Sequence, residues 1–223
     1  MNFNGKAIIF DLDGTIVKTE HLWLQAALHL LEKRGISITQ KAQEHLEQQL
    51  NGLDVLSACE LIRAYFRLPD ELQDLYKEKT ELAHQLYTSL AFIPGFTEFH
   101  TSLQKNNISS AIATNSDLRT LKILNTALQL DSFFGNHIYS YEIVQKPKPQ
   151  PDLFLYAAEQ LKITPRNCIV IEDSAHGIQA AKAANMFCIG INSHGDTQQL
   201  KHADALANSY TDISTILSTK GYL

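Results

Sequence analysis

Two acidic residues near the start of the chain, Asp11 and Asp13, directly follow a short apolar run, Ala7–Phe10. In an extended chain the side chains of residues i and i+2 project to the same side, so both carboxylates face the same way. Like charges at the end of a buried strand are costly unless a positive group lies between them, and a divalent cation with oxygen ligands would meet that need. One carboxylate can attack phosphorus while the other moves a proton, although the two residues alone do not decide which is the nucleophile. An isolated Asp-x-Asp-Gly is more often only a polar turn, so the rest of the chain must decide.

Residues of complementary chemistry follow other predicted strands or occupy the turn between them. These are Thr114-Asn115-Ser116, Lys148 in a Pro-rich turn that also contains Lys146, and Glu172-Asp173-Ser174. Hydroxyl groups and backbone N–H groups at helix starts bind phosphate oxygens, and a lysine ammonium neutralises phosphate or carboxylate. Acids suited to Mg²⁺, together with these phosphate-binding groups, predict phosphoryl transfer through an aspartyl-phosphate.

The elements that must position these residues alternate between strand and helix after Pro94-Gly95. The predicted strands are Ala7–Phe10, Ile108–Thr114, His137–Tyr139, Cys168–Ile171, Phe187–Ile191 and Ala203–Ala207. The predicted helices between them are Phe96–Asn106, Ser116–Gln129, Leu153–Leu161 and Gly177–Asn185. Such alternation predicts an α/β fold with a doubly wound, mostly parallel Rossmann-like sheet. Ligands of these sheets bind at the carboxyl ends of the strands, where the acids and Thr114 are expected.

The segment from about Glu20 to Leu90 has a helical pattern throughout. An amphipathic helix at its start is followed by predicted helices over Gln40–Leu50, Asp54–Arg67 and Pro69–Leu90, with Asp54 as an expected N-cap. We therefore expect a four-helix cap domain, residues 18–90, inserted into a Rossmann-like core domain formed by residues 1–17 and 91–223.

Composition limits the class of protein. The chain has 223 residues, of which 44% are hydrophobic and 19% charged, values that are typical of a soluble globular protein. A net charge of −5 argues against a nucleic-acid partner or an anionic membrane surface. The sequence contains neither an apolar run of membrane-spanning length nor a signal-peptide pattern, and its three cysteines lie in apolar segments. We expect buried thiols, a cytoplasmic location and a monomer or weak dimer.

Four segments occur in an order that resembles the phosphatases of the haloacid dehalogenase superfamily. They are Asp11-Leu-Asp-Gly-Thr15, Thr114-Asn-Ser116, Lys148-Pro-Gln-Pro-Asp152 and Glu172-Asp-Ser-Ala-His-Gly-Ile178. Each is weak alone, but together they are specific, and the similarity extends over nearly the whole chain. The branch that it resembles includes β-phosphoglucomutase, phosphoglycolate phosphatase and sugar-phosphate phosphatases.

The resemblance implies Mg²⁺ as cofactor and gives roles to the acids. Asp11 would be the nucleophile and a metal ligand. Asp13 would be the general acid/base and would bind the metal through its backbone carbonyl. Asp173 would be a further metal ligand, and Glu172 would bind the metal directly or through water.

The same resemblance gives the remaining residues a phosphate-binding role. Thr114 and Asn115 would hold the phosphoryl group, the latter through its backbone N–H. Lys148 would bind phosphate and balance the charge of Asp11. The implied activity is hydrolysis of a small phosphomonoester, such as a sugar phosphate or a phosphoglycolate-like metabolite.

Two departures from this pattern bear on specificity. Lys18-Thr-Glu20 stands where the branch often has Asp-Ser-Glu, and Lys18 is open to two interpretations, a substrate contact or a solvent-facing side chain. Asn51-Gly-Leu-Asp-Val55 lies where phosphomutases carry a Lys-Gly-Val-Ser-Arg-like stretch that grips a second phosphate. This difference favours hydrolysis over a β-phosphoglucomutase-type phosphomutase, which stays as the alternative. A non-catalytic metabolite-binding relative is less favoured, because the chain retains Asp11, Asp13 and Lys148.

Overall fold

A computed structural model of the chain describes residues 5–50, 53–87, 90–192 and 197–223. Its strands are β1 (Ala7–Phe10), β2 (Ser109–Thr114), β3 (Ile138–Ser140), β4 (Cys168–Glu172), β5 (Phe187–Ile191) and β6 (Ala205–Ala207). They form one six-stranded sheet in the order β3-β2-β1-β4-β5-β6, and all neighbouring strands are parallel. The predicted fold class is confirmed, and the weakest predicted strands, β3 and β6, begin one or two residues later than expected.

The central strand β1 is buried along its whole length, which explains its uninterrupted apolar sequence. Ile8 and Phe10 belong to the apolar cluster on one face of the sheet, whereas Ala7 and Ile9 belong to the cluster on the other face. The strand order reverses between β1 and β4, because β2 and β3 lie on one side of β1 and the later strands on the other. Such a reversal opens a crevice at the carboxyl ends of the two strands.

Helices cover both faces of the sheet and also form a separate layer. They are α1 (Glu20–Glu32), α2 (Gln40–Leu50), α3 (Val55–Phe66), α4 (Leu72–Leu86), α5 (Phe96–Lys105), α6 (Leu118–Leu128), α7 (Leu130–Phe134), α8 (Asp152–Gln160), α9 (Ala175–Ala183) and α10 (Tyr210–Thr219). Helices α5, α6, α7 and α10 pack on the face that contains Phe10, and α8 and α9 pack on the other. The sequence did not predict α7 and α10, and α9 begins two residues earlier than expected.

Two of the helix starts follow from their caps. The carboxylate of Asp54, the predicted N-cap of α3, accepts hydrogen bonds from the backbone N–H groups of Leu56 and Ser57 at 3.0 and 3.1 Å. Asp117 caps α6 in the same way by accepting from the N–H of Thr120 at 2.7 Å. Both caps satisfy N–H groups that have no partner within the helix.

Helices α1 to α4, called the helical block below, have an apolar cluster of their own. Two adjacent chain segments connect the block to the sheet: the N–H of Ile93 donates to the carbonyl of Ile16 at 2.7 Å, and the N–H of Lys18 donates to that of Ala91 at 3.3 Å. The chain therefore enters and leaves the helical block through two hydrogen-bonded segments that lie side by side, shortly after Asp11 and Asp13.

Two smaller observations bear on the sequence predictions. All three cysteines are buried free thiols, as expected. In the part of the chain that the structure describes, no helix has both the length and the apolar character that a membrane crossing requires.

Candidate active site

The carboxyl ends of β1, β2 and β4 bring the candidate residues to one cavity of about 380 Å³. It is lined on the sheet side by Asp11, Asp13, Thr114, Asn115, Ser116, Lys148, Glu172, Asp173 and Ser174, among others. The cavity lies at the reversal of the strand order, where α/β sheets bind ligands. The seven residues to which the resemblance gives a role therefore all line the same space: Asp11, Asp13, Thr114, Asn115, Lys148, Glu172 and Asp173.

Lys148 connects two of the acids. Its ammonium group donates to Asp11 Oδ1 at 2.5 Å and to Glu172 Oε1 at 2.7 Å, and its side chain is almost fully buried. Burial alone would lower the pKa of Lys148, but the attraction of the carboxylates of Asp11 and Glu172 outweighs it and raises that pKa. Lys148 is consequently a fixed positive charge beside Asp11.

One lysine does not balance the acids of this site. Burial raises the pKa of Asp11, and although Lys148 lowers it, the nearby carboxylates of Glu172, Asp173 and Asp13 raise it further. The net effect is a pKa well above the ordinary value for an aspartate. A further positive charge would be needed to keep all these carboxylates ionised.

The main chain of Lys148 is fixed by a side chain from the end of β2. The amide of Asn115 donates to the carbonyl of Lys148 at 3.2 Å and accepts from its N–H at 2.9 Å, and the following Lys148–Pro149 peptide bond is cis. The sequence had suggested only a backbone contribution from Asn115. In the structure its side chain also connects the second motif to the third.

Glu172 is held from the opposite direction by the start of α9. Its Oε2 accepts from the N–H of Ser174 at 2.8 Å and from the Ser174 hydroxyl at 2.9 Å, so both carboxylate oxygens have protein donors. The carboxylate occupies the space above Gly177, where an added Cβ would lie 1.6 Å from Oε1. The glycine in the fourth motif therefore makes room for the group that positions Lys148.

Asp13 is oriented by two hydroxyl groups, one from Ser116 of the second motif and one from Thr19, which lies outside the four motifs. Ser116 donates to its Oδ2 at 2.6 Å, and Thr19, at the start of α1, donates to its Oδ1. The N–H of Ser116 in turn donates to the hydroxyl of Thr114 at 3.0 Å. The sequence could point to Ser116 because it belongs to the second motif. For Thr19 the only indication was its position between the first motif and α1.

The carboxylates of the cavity can bind a hard divalent cation if water and substrate phosphate complete its coordination. Within the described residues, no group of three or more His, Cys, Asp or Glu side chains forms a ready-made metal cage. Lys148 takes one oxygen of Asp11 and one of Glu172, and Thr15 makes a long 3.4 Å hydrogen bond to Asp173. The oxygen donors nevertheless suit Mg²⁺, which usually takes one or two carboxylates and fills its other positions with water and substrate phosphate.

The helical block closes the other side of the cavity. Its lining includes Trp23, Glu44, Glu47 and Lys79. Trp23 packs against the apolar cluster of the block and also lines the cavity. Lys79 was missed, although it shares a face of α4 with apolar residues, which is an unusual place for a lysine.

The positions at which the sequence departs from the resembled pattern differ in their location relative to the cavity. Lys18 is exposed and is not among the residues that line the cavity. Asn51 and Gly52 lie outside the described residues, whereas Leu53 and Val55 both line the cavity. Two apolar side chains therefore stand at described positions of the stretch that differs from phosphomutases.

Comparison with known proteins agrees with this geometry. A sequence model of the haloacid dehalogenase-like hydrolase family matches residues 8–191. A β-phosphoglucomutase of Bacillus subtilis (strain 168) is 31% identical over 217 residues, with coverage of 94% of this chain and 92% of the relative. A phosphorylated carbohydrates phosphatase of Thermotoga maritima is 27% identical, with coverage of 91% and 93%.

A solved structure agrees in fold. It is a haloacid dehalogenase family hydrolase of Deinococcus radiodurans R1 with bound phosphate and sodium, which superposes with a TM-score of 0.77 and 26% identity over 100% of this chain and 99% of that chain. The doubly wound sheet and the acid-lined crevice thus define a hydrolase of the α/β class. The chain belongs to the haloacid dehalogenase-like hydrolase family. The predictions of the family, the fold class and an enzyme are confirmed.

Proposed function

We propose that the chain is a Mg²⁺-dependent phosphatase that hydrolyses a small phosphomonoester through an aspartyl-phosphate on Asp11. The observation that carries this proposal is the buried contact of Lys148 with Asp11, beside Asp13 and Asp173 in one cavity. The names of the relatives, which include a phosphorylated carbohydrates phosphatase, support the same class of substrate.

In the first step, a carboxylate oxygen of Asp11 attacks phosphorus and the ester bond to the leaving oxygen breaks. Asp13 donates a proton to that oxygen, which leaves as an alcohol. Thr114 and the backbone N–H of Asn115 hold the phosphoryl oxygens, and Lys148 keeps Asp11 in place while neutralising phosphate charge.

In the second step, Asp13 is a carboxylate and accepts a proton from a water molecule. The water oxygen attacks phosphorus, the bond to Asp11 breaks, and inorganic phosphate and free Asp11 are formed. Asp13 thereby regains the proton that it needs for the next cycle. Its hydrogen bonds from Ser116 and Thr19 keep the carboxyl group oriented in both protonation states.

The residues that would hold Mg²⁺ are Asp11, Asp173 and the backbone carbonyl of Asp13, with Glu172 bound directly or through water. When bound, the ion supplies the charge that lets the Asp11 carboxylate approach an anionic phosphate. The excess of acids around Asp11 supports this need for a cation.

The helical block is proposed to act as a cap domain, residues 18–90, on a core formed by residues 1–17 and 91–223. The block lines the cavity opposite Asp11, so closure over a bound substrate would exclude bulk water. The proposed partner is a small phosphorylated metabolite, and we place the protein in the cytoplasm as a monomer or weak dimer.

A phosphomutase is the second candidate, because one relative is a β-phosphoglucomutase. Transfer between two positions of a sugar needs a grip on a second phosphate. The phosphomutase pattern has two basic residues, and Asn51 and Val55 stand at their positions; Val55 lines the cavity and supplies no charge. Hydrolysis is therefore the preferred function.

The test is turnover of p-nitrophenyl phosphate with Mg²⁺ by the purified protein. We expect EDTA to abolish turnover and Asp11→Asn to lower it by at least about a thousandfold, whereas the exposed Asp131→Asn control keeps it. Turnover that is indifferent to both EDTA and Asp11→Asn would refute the proposal. Conversion of glucose 1-phosphate to glucose 6-phosphate without release of phosphate would favour the phosphomutase instead.

A further inference from the structure

The part of the cavity that the helical block forms has an uneven charge. Its described lining consists of Trp23, Leu24, Glu44, Glu47, Gln48, Leu50, Leu53, Val55, Ala58 and Lys79. Among these residues two side chains are negative and one is positive. The wall that faces the non-reacting end of a substrate therefore carries a net negative charge in its described part.

The two acids come from one face of α2. Glu44, Glu47 and Gln48 have the i, i+3, i+4 spacing that places side chains side by side on a helix. The opposite face of α2 buries Leu46 in the block. Gln40 donates to Glu44 at 3.1 Å, and none of the ion pairs found among the described residues includes Glu44 or Glu47. Both carboxylates are thus available as acceptors at the cavity.

Among the described residues of this wall there is one cation, and it lies deeper than the two acids. Lys79 is 2% exposed, and its ammonium group lies 4.8 Å from the centre of the Trp23 ring. Burial lowers the pKa of Lys79, and the nearby Cys59 and Asp54 oppose this effect only in part. One buried lysine therefore does not offset the two acids of α2.

We propose that Glu44 and Glu47 select the leaving group of the substrate, favouring an uncharged or cationic hydroxyl-rich group over one with a second phosphate or a carboxylate. This inference rests on the proposed phosphatase function and names its substrate class more narrowly. Hydroxyl and ammonium groups donate to the two carboxylates, which repel an anionic group at the same position. A cavity of about 380 Å³ is within the size range of small-molecule sites.

The experiment compares three hexose derivatives that carry the same 6-phosphate: glucosamine 6-phosphate, glucose 6-phosphate and 6-phosphogluconate. Away from the phosphate they carry an ammonium group, hydroxyl groups only and a carboxylate, respectively, while the reacting 6-phosphate ester is the same in all three. Binding is measured by calorimetry with the Asp11→Asn variant and Mg²⁺, and kcat/KM is measured with the wild type. The binding measurement does not depend on turnover.

We expect glucosamine 6-phosphate and glucose 6-phosphate to bind more tightly than 6-phosphogluconate by roughly tenfold. In Glu44→Gln/Glu47→Gln, this preference should shrink to roughly twofold or less, mainly through tighter binding of 6-phosphogluconate. A matched control is Glu60→Gln/Glu71→Gln, which removes the same charge from exposed positions of the block that are not among the lining residues. The control should keep the full preference.

Several results would overturn the inference. These are equal binding of the three compounds, binding of none of them, preference for 6-phosphogluconate, or a loss of preference that also occurs in the control. If p-nitrophenyl phosphate is hydrolysed in an Asp11-dependent manner but 6-phosphogluconate does not bind more weakly than the other two compounds, only this inference fails. If that hydrolysis is absent, the phosphatase function fails, and the order of binding still tests the charge selection.

Discussion

The carboxylate of Glu172 occupies the volume that the Cβ of any residue other than glycine would need at position 177. An added Cβ would lie 1.6 Å from Oε1 and 1.8 Å from the carboxyl carbon, distances at which one group must move. The same Oε1 accepts from Lys148 at 2.7 Å, and Lys148 donates to Asp11 at 2.5 Å. A backbone position on α9 is therefore connected to the proposed nucleophile through two buried ionic contacts.

Substitution of Gly177 by alanine is expected to impair catalysis without touching a group that contacts the substrate. The new methyl group displaces Glu172, so Lys148 loses one of its two carboxylate partners and its position beside Asp11. We expect kcat with p-nitrophenyl phosphate to fall by roughly a hundredfold, because small displacements of catalytic groups are costly. Ala183→Ser, which adds one heavy atom at an exposed position of α9, is the control.

Folding must be separated from positioning in this experiment. The unfolding transition of Gly177→Ala should be measured beside kcat, since crowding near the buried ion pair also lowers stability. A folded variant with wild-type kcat would show that Glu172 can move without consequence for Lys148.

A second relationship joins the helical block to the sheet domain. The hydroxyl of Tyr76 on α4 donates to Asp117, the buried N-cap residue of α6, and His84 Nε2 lies 3.1 Å from the hydroxyl of Thr120. Burial, with added contributions from the hydrogen bond and the charge of Asp117, raises the pKa of Tyr76, so the phenol stays protonated as the donor. These contacts hold α4 against the start of α6 at the edge of the proposed cap.

Tyr76→Phe removes this donor and leaves the ring in place. A hydrogen bond to a charged acceptor contributes about 1.5–3 kcal/mol, so closure of the block over the substrate should become less favourable. We expect KM for p-nitrophenyl phosphate to rise roughly tenfold to hundredfold with little change in kcat, because about 1.4 kcal/mol corresponds to a factor of ten. Tyr65→Phe, at a residue that is 58% exposed, is the matched control. An unchanged KM in Tyr76→Phe would contradict a role for this contact in closure.

The fold was predictable from the sequence where local patterns and tertiary packing agree. The apolar run of β1 and the N-cap Asp54 are examples of such agreement. Helix α10 was missed because its sequence, rich in Thr, Ser and Ile, has a low helix propensity. Its helical state depends on burying Tyr210, Ile213 and Leu217 against the sheet, which is a tertiary effect.

The same distinction between local pattern and tertiary contact applies to the candidate site. The motifs identified the residues that line the sheet side of the cavity, since their chemistry is visible in the residue types. What the sequence did not predict are contacts between distant segments, such as the two hydrogen bonds between the Asn115 side chain and the backbone of Lys148, 33 residues away. Lys79 belongs to the same group, because only the folded chain places it over Trp23 at the cavity.

His100 is a buried histidine outside the active site that should make the protein sensitive to acid. It lies on α5 among Phe10, Phe96 and Phe134, and its Nε2 is 2.9 Å from the Ser110 hydroxyl. Burial lowers its pKa from 6.5 to about 4. The unfolded chain therefore binds a proton more readily than the folded chain between these values, and the stability contributed by the neutral ring is lost as pH falls from 6.5 towards 4.

His100→Gln removes this titration and keeps a polar side chain that can meet Ser110. Between pH 7.5 and pH 5, the wild type should lose about 2 kcal/mol more unfolding free energy than the variant, as measured by urea denaturation. The variant will be less stable at pH 7.5 because glutamine fills the aromatic pocket less well, so the comparison uses the difference between the two pH values for each protein. The control is His202→Gln, at an exposed position, because the half-buried His137 is unsuitable: its ring contacts the Tyr139 hydroxyl. Equal pH dependence in the wild type and His100→Gln would show that His100 does not couple folding to protonation.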